Sequence, residues 1–474
     1  MKQIAPSDLR EQDMILFDRL NHALLLEGGT AATPEEFANF LSAHRQEHRY
    51  YHGVNHIADL SEATLESELL QRLLKDSGHD IQSVSNIHIL VGIFHDVVQS
   101  SFDLGDLPDG TGIPASELQF DENEHGQRQY NWNVRQPDGI SNEDYQTVCT
   151  LFGVEEGDSI TTDPVKTVGL NEMLSAFYAV RFLRQHGIND PELIAGTVLG
   201  IAATIPFKKD YAQTLADRLE QVPGLNDRSR DALMLTAASI ANRDIANFRL
   251  AFPAFIDNTM RDLAERNPPL RDNMDDPIAL ANAMGRAKFF LNLIAGGQAG
   301  PLFHQHNGYP SDDTLAKWNA QAQTNIEKGI AYLDSRILTS ALRGALNMDE
   351  KDLSPAEQSH ESGDVATEKP NHVIAAASAM RQHGKHFVPN LDPKETTAIG
   401  ADLCETLSQF PSAKAEVDHA VETFLKEPSE AHADTLIGTF RNPTISQACA
   451  PLLAALAPHG SSVASQGEAA AAYR

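Results

Sequence analysis

Cysteine is scarce in this chain: three in 474 residues, Cys149, Cys404 and Cys449, with no CxxC pair among them. That excludes a thiolate zinc site and a disulfide framework, and it fits a reducing compartment. Positive charge is scarce as well, with 37 Lys and Arg against 66 Asp and Glu and a formal net charge of -29. DNA, RNA and anionic membranes all present phosphates that need cations opposite them, so neither a nucleic-acid polymer nor a membrane is an expected partner. A small anionic substrate stays open, provided that a metal and a few local cations hold it. No run of eighteen apolar residues occurs, and the first twenty residues lack the basic start and apolar stretch of a secretory signal. The cytoplasm is the expected location. Strand-like alternation is nearly missing, as are a Gly-rich phosphate loop, a GxSxG elbow and any internal repeat.

What remains is helical. At 41% hydrophobic, the chain can bury a substantial core. Apolar residues recur at three- and four-residue spacing over roughly 9–26, 35–47, 55–76, 84–99, 170–187, 190–205, 228–249, 277–295 and 313–346. The fold class expected is all-α: one helical catalytic domain over 1–348, an acidic linker over 349–371, an accessory helical domain over 372–458 and a fraying tail over 459–474. The accessory domain is a candidate surface for a protein partner or for self-association. Residues 100–168, rich in Gly, Pro, Asp and Asn, interrupt the helical pattern as a long inserted loop region. Its aromatics, Phe120, Tyr130, Trp132, Tyr145 and Phe152, favour an ordered lid or wall.

Five short segments carry residues suited to chemistry. In Arg49-Tyr-Tyr-His52-Gly-Val-Asn-His56 the two histidines are four apart, so on one helix both imidazoles share a face. His95-Asp96 lies inside the greasy run Ile87 to Val98, where an imidazole beside a carboxylate is costly without a compensating cation. The bland reading is a structural His–Asp hydrogen bond. Asp244 lies within the small-residue helical stretch Ala237 to Phe248, in an otherwise apolar setting, where an ion pair with Arg243 or Arg249 is the simpler account. Asn171-Glu172-Met-Leu-Ser175-Ala176 reads equally as a helix start, with Asn171 as cap. Ile201-Ala-Ala-Thr204-Ile-Pro ends a helix before Lys208 and Lys209, whose bland reading is solvated positive charge.

Taken in order, Tyr51-His52-(3)-His56, Phe94-His95-Asp96, Asn171-Glu172-(2)-Ser175-Ala176, Ile201-(2)-Thr204 and Asp244 resemble the HD superfamily of metal-dependent phosphohydrolases, over about residues 45–250. The first segment is also similar to the corresponding motif of class I cyclic-nucleotide phosphodiesterases. The resemblance implies an HD-type helical bundle with His56, His95, Asp96 and Asp244 as ligands of a divalent ion, and donors of this kind suit Mn, Fe, Co, Zn or Mg. It implies hydrolysis of a small phosphoester, a nucleotide being one candidate, by a metal-activated water. His52 is the implied general acid and Glu172 its partner, with Arg49, Asn171, Thr204, Lys208 and Lys209 as candidate substrate contacts. Two departures stand out. Phe207 occupies the place where the small phosphohydrolases often carry a histidine, and Glu122-Asn123-Glu124-His125 competes with the Asn171-Glu172 element. Rival readings are an HD-fold di-iron oxygenase, recruiting His88 or His125 to a second metal, and a non-catalytic ligand-binding or signalling protein.

Overall fold

Helix starts in this chain are written as caps. Thr33 accepts the Glu36 amide while Glu36 accepts that of Thr33, a reciprocal box that opens α2 (Pro34–His44), after α1 (Glu11–Leu26). The helices α3 (Val54–Ser61) and α4 (Glu68–Asp76) lead to α5 (Ile81–Phe94), where Asp80 caps the first turn. A computed structural model describes residues 4–45, 49, 51–62, 68–76, 78, 80–98, 111–122, 128–161, 169–205, 211–265, 277–296, 301–351, 410–426, 430–440, 442, 443 and 445. Of its interpretable residues 71% are helical and 4% are in strands, which makes the chain all-α.

The chain forms two compact units, one of residues 1–268 with 291–328 and one of 269–290 with 329–474. In the first, α7 (Leu170–Gln185), α8 (Pro191–Ala203) and α10 (Asp227–Asp244) pack with α5 around one large apolar core. Helix α8 is buried along nearly its whole length, and its small residues let both neighbours come close. A β-carbon at Gly200 would meet Val91 of α5 and Ile240 of α10. The ends of those two helices thereby reach the same place. At the other side of α5, a β-carbon on Gly92 would fall 2.6 Å from the Ser61 backbone nitrogen, so α3 lies directly against α5 at this point. In the second unit, helices Pro411–Lys426 and Glu430–Phe440 pack on each other, burying Val417, Ala420 and Leu436. Helix Asp312–Lys351 runs through the 328/329 division, and the acidic stretch expected as a linker falls at its end and outside the described residues.

Three expectations need correction. The stretch 55–76 is two helices, α3 and α4, not one. Three further helices, α6 (Asn142–Phe152), α9 (Tyr211–Leu219) and α11 (Phe252–Glu265), lie outside the expected segments. The inserted region is no plain loop: it carries α6 and an antiparallel sheet of β1 (Gln119–Glu122), β2 (Arg128–Asn133) and β3 (Ser159–Thr161), in that order. Tyr130, Trp132 and Val134 are buried at every second position, and the Trp132 ring meets Phe177 of α7 edge-on at 6.1 Å. Alternation this brief, inside strands this short, is hard to tell from loop.

Gly92→Ala is expected to destabilise the protein by roughly 1–3 kcal/mol, because its new methyl meets backbone that cannot rotate away. Gly196→Ala, which meets only the ends of the Ile87 and Leu233 side chains, should cost less. Thermal unfolding of the two variants checks the order; equal midpoints would remove the close approach at Gly92 as a constraint.

Candidate metal centre

Helix α3 begins at Val54 behind Gly53, so His56 sits in its first turn and His52 just before it. The two histidines therefore do not share a helix face, as their spacing suggested. Their rings still come within 5.6 Å, centroid to centroid, with the Tyr51 ring against both. His95 caps the C-terminus of α5, and its Nδ1 lies 3.2 Å from the Gly92 carbonyl, which turns Nε2 the other way. The turn that follows is fixed from two sides. Arg49 donates to the carbonyls of Asp96 at 2.7 Å and Val97 at 3.0 Å, and the Val98 amide donates to Ser175 Oγ of α7 at 3.0 Å. Asp244, last residue of α10, is held by its two predecessors. Asn242 exchanges two hydrogen bonds with the His304 backbone, and Arg243 donates to the Asp59 carbonyl on α3.

These elements bring His56, His95, Asp96 and Asp244 to one point. His56 Nε2 lies 3.2 Å from His95 Nε2, 3.3 Å from Asp96 Oδ2 and 3.2 Å from Asp244 Oδ1. His95 Nε2 lies 2.8 Å from Asp96 Oδ2 and 3.5 Å from Asp244 Oδ1. Donors bound to one ion at ~2.1 Å stand about 3 to 3.5 Å from their neighbours, so the spacing of His56, His95 and Asp96 fits a single cation, with Asp244 Oδ1 beside the two imidazoles as a fourth donor at hand. The donor chemistry fits as well, with two imidazoles and two carboxylates and no thiolate. Helices α5 and α10 both end here, and the negative ends of their dipoles favour positive charge. Asp244 is thus turned to the two histidines, and no ion pair joins it to Arg243 or Arg249 among the described residues.

Protons compete for the same place. Burial opposes charge on His56, but the Asp244 and Asp96 carboxylates outweigh it and raise its pKa to about 9. The same two groups carry His95 well above the ordinary imidazole range against its burial. Burial also works to raise both carboxylates, yet the imidazoles hold Asp96 well below its usual value and Asp244 at about 2.

The other candidates lie elsewhere. The carboxylate set against His52 is Glu265 of α11, not Glu172. Glu265 Oε1 lies 3.0 Å from His52 Nδ1, and Oε2 accepts the amides of Tyr51 and His52. Burial raises its pKa, but the His52 charge and hydrogen bond, with help from Arg49, bring it down to about 2. Glu172 stands in the first turn of α7, its carboxylate folded back over Gly169. Arg49, expected on substrate, lines the cavity beside the centre but gives its guanidinium to the main-chain carbonyls of the Asp96 turn. Thr204 gives its hydroxyl to the Ile201 carbonyl of its own helix, 2.7 Å away. Asn171 Oδ1 is buried without a hydrogen-bond partner among the described residues. Lys208, Lys209, Asn123, Glu124 and His125 lie outside those residues.

Beside the centre opens a cavity of about 780 Å³ that His56 and Asp244 line. Six arginines line it too: Arg10, Arg45, Arg49, Arg243, Arg249 and Arg261. For a chain with a net charge of -29, that concentration is the opposite of the average surface. Neither Glu265 nor the arginine lining was foreseen; the only signal for the latter was the density of Arg over 243–261, and Glu265 left none. No family model, curated protein or solved structure matches this chain. Among the described residues, no helix is long and apolar enough to cross a membrane.

The shifts set a pH dependence. His56 binds its proton more tightly folded, with a pKa of about 9 against 6.5 for an unperturbed imidazole, so that stabilisation is complete below about pH 6.5 and lost as pH rises through about 9. Asp244 works in the opposite sense, stabilising above about pH 3.8 and losing its contribution as pH falls toward about 2. A divalent ion bound by these donors would take the place of the protons. Metal-free protein should therefore lose thermal stability from neutral pH to ~pH 9, with added Mn or Zn restoring more there than at ~pH 6. A metal-induced rise in midpoint that is the same at both pH values would contradict the shared site.

Proposed function

We propose that this chain is a metal-dependent phosphoric ester hydrolase of HD type, acting on a small phosphorylated substrate. The observation that carries the reading is the meeting of His56, His95, Asp96 and Asp244, from three separated stretches, beside a cavity lined by arginine. A divalent ion held by those four would polarise a phosphoryl oxygen and make a water acidic enough to attack at neutral pH. The residues around it have separable tasks. Glu265, ionised, orients the His52 ring through Nδ1 and leaves Nε2 as the atom that delivers a proton to the leaving oxygen. Arg49 and Ser175 hold the turn that presents Asp96, and Arg243 with Asn242 holds the helix end that presents Asp244. The cavity cations offset the charge of a phosphate in a protein that otherwise repels it.

Two rival readings have less support. A di-iron site needs further ligands, and the candidate among the described residues, His88, has Arg243 as its charged neighbour, which disfavours a second cation. A binding module has no need of four ligands gathered inside a helical junction.

His95→Ala and Asp96→Ala should abolish both metal binding and phosphate release in a screen over nucleotides and other phosphoesters. His52→Ala should keep the metal and lose turnover by about 10²- to 10⁴-fold, the range for an acid–base group. Glu265→Gln should likewise keep the metal and lower kcat more than it raises KM. Full turnover in His52→Ala would remove the acid from the mechanism, and a chain that purifies without metal and binds none would remove the hydrolase.

A further inference from the structure

The arginines around the cavity are not equivalent. Arg45 is paired with Asp13, Arg261 with Asp257, and Arg49 lies on backbone carbonyls near Glu265. Arg10, Arg243 and Arg249 form no ion pair with a carboxylate among the described residues, and of these Arg243 and Arg249 act on one another. Arg243 gives Nε and Nη2 to the carbonyl of Asp59, at 3.2 and 2.7 Å, which leaves Nη1 uncommitted. Arg249 stacks over Trp318 with its guanidinium carbon 4.0 Å from the ring centre. The two are close enough for the charge of Arg243 to act on Arg249, adding to the effect of burial. Two like charges held together without a counter-ion cost free energy that an anion between them would recover.

A third group points the same way. His88 lines the same cavity, is 2% exposed, and finds no hydrogen-bond partner for either ring nitrogen among the described residues. Burial and the nearby charge of Arg243 push its pKa down to about 3, so the ring is neutral, with one N–H to give and one lone pair to satisfy. A buried polar group in this condition is a donor awaiting an acceptor.

Charge balance identifies the acceptor. Asp96 and Asp244 together offset one divalent ion, so the metal centre contributes no net charge toward a phosphate dianion. Two further positive charges are needed, and Arg243 and Arg249 supply them. We propose that Arg243, Arg249 and His88 form an anion-binding subsite of this cavity that takes a phosphate group, the guanidiniums balancing its charge and the imidazole donating one hydrogen bond. The choice of phosphate over other anions rests on the hydrolase reading above; the subsite itself rests on the three side chains.

The test is calorimetric titration of the full chain with inorganic phosphate, with manganese present and after chelation, and with acetate as the competing anion. Arg243→Gln and Arg249→Gln should each weaken phosphate binding by about 10- to 100-fold, as expected for loss of a charge-assisted contact. His88→Gln should weaken it less. Arg249→Lys keeps the charge and should retain most of the binding, which separates loss of an anion contact from loss of packing on Trp318. Wild-type affinity in both glutamine variants overturns the subsite, and acetate binding as tightly as phosphate overturns the choice of ligand. Phosphate binding that depends on the two arginines, in a protein that hydrolyses no phosphoester, supports the subsite and removes the hydrolase. Hydrolysis lost in His95→Ala while phosphate binding ignores both arginines does the reverse.

Discussion

Two imidazole nitrogens within hydrogen-bond distance of each other, with the Asp96 and Asp244 carboxylates set against them at the junction of three helices, favour positive charge. Without it the carboxylates repel across low-dielectric surroundings and the two Nε2 atoms face each other with nothing to share. Protons can supply it, and they do so by raising both imidazoles above their ordinary range. One divalent ion would supply it too, with His56, His95 and Asp96 as donors and Asp244 beside them. Folding and cation binding at this junction are one problem, because the junction forms only when α3, α5 and α10 are docked.

The helices meet so closely because particular side chains are missing. Gly92 lets the α3 backbone lie against α5, and the small face of α8 draws α5 and α10 together at their C-terminal ends. Both helix dipoles then end at the same cation site. The residues beside the ligands work as clamps: Arg49 and Ser175 on one turn, Asn242 and Arg243 on the other. An arginine that reads as a substrate contact in sequence is, in the fold, part of the frame.

The acidic surface and the arginine-lined cavity belong together physically. A net charge of -29 repels polyanions from most of the molecule, and a confined cluster of guanidiniums beside the centre restores attraction over one small volume. The sheet and α6 of the inserted region pack on α7 through Trp132 and Tyr145, which makes this region part of the scaffold behind Ser175.

The all-α class and most helix positions were legible in the chain alone, whereas His56, His95, Asp96 and Asp244 were named together as a donor set only through the resemblance. Periodicity and local spacing are properties of neighbouring residues, and an imidazole beside a carboxylate in an apolar helix announces its own cost. The partner of His52 could not be named. Glu265 is more than two hundred positions away, on a helix without a distinguishing pattern, and only packing sets its carboxylate against that ring. The short strands of the insert and the pairing state of each arginine were hidden for the same reason. Alternation over three residues carries little information, and whether a guanidinium is neutralised depends on which side chains the tertiary fold places beside it.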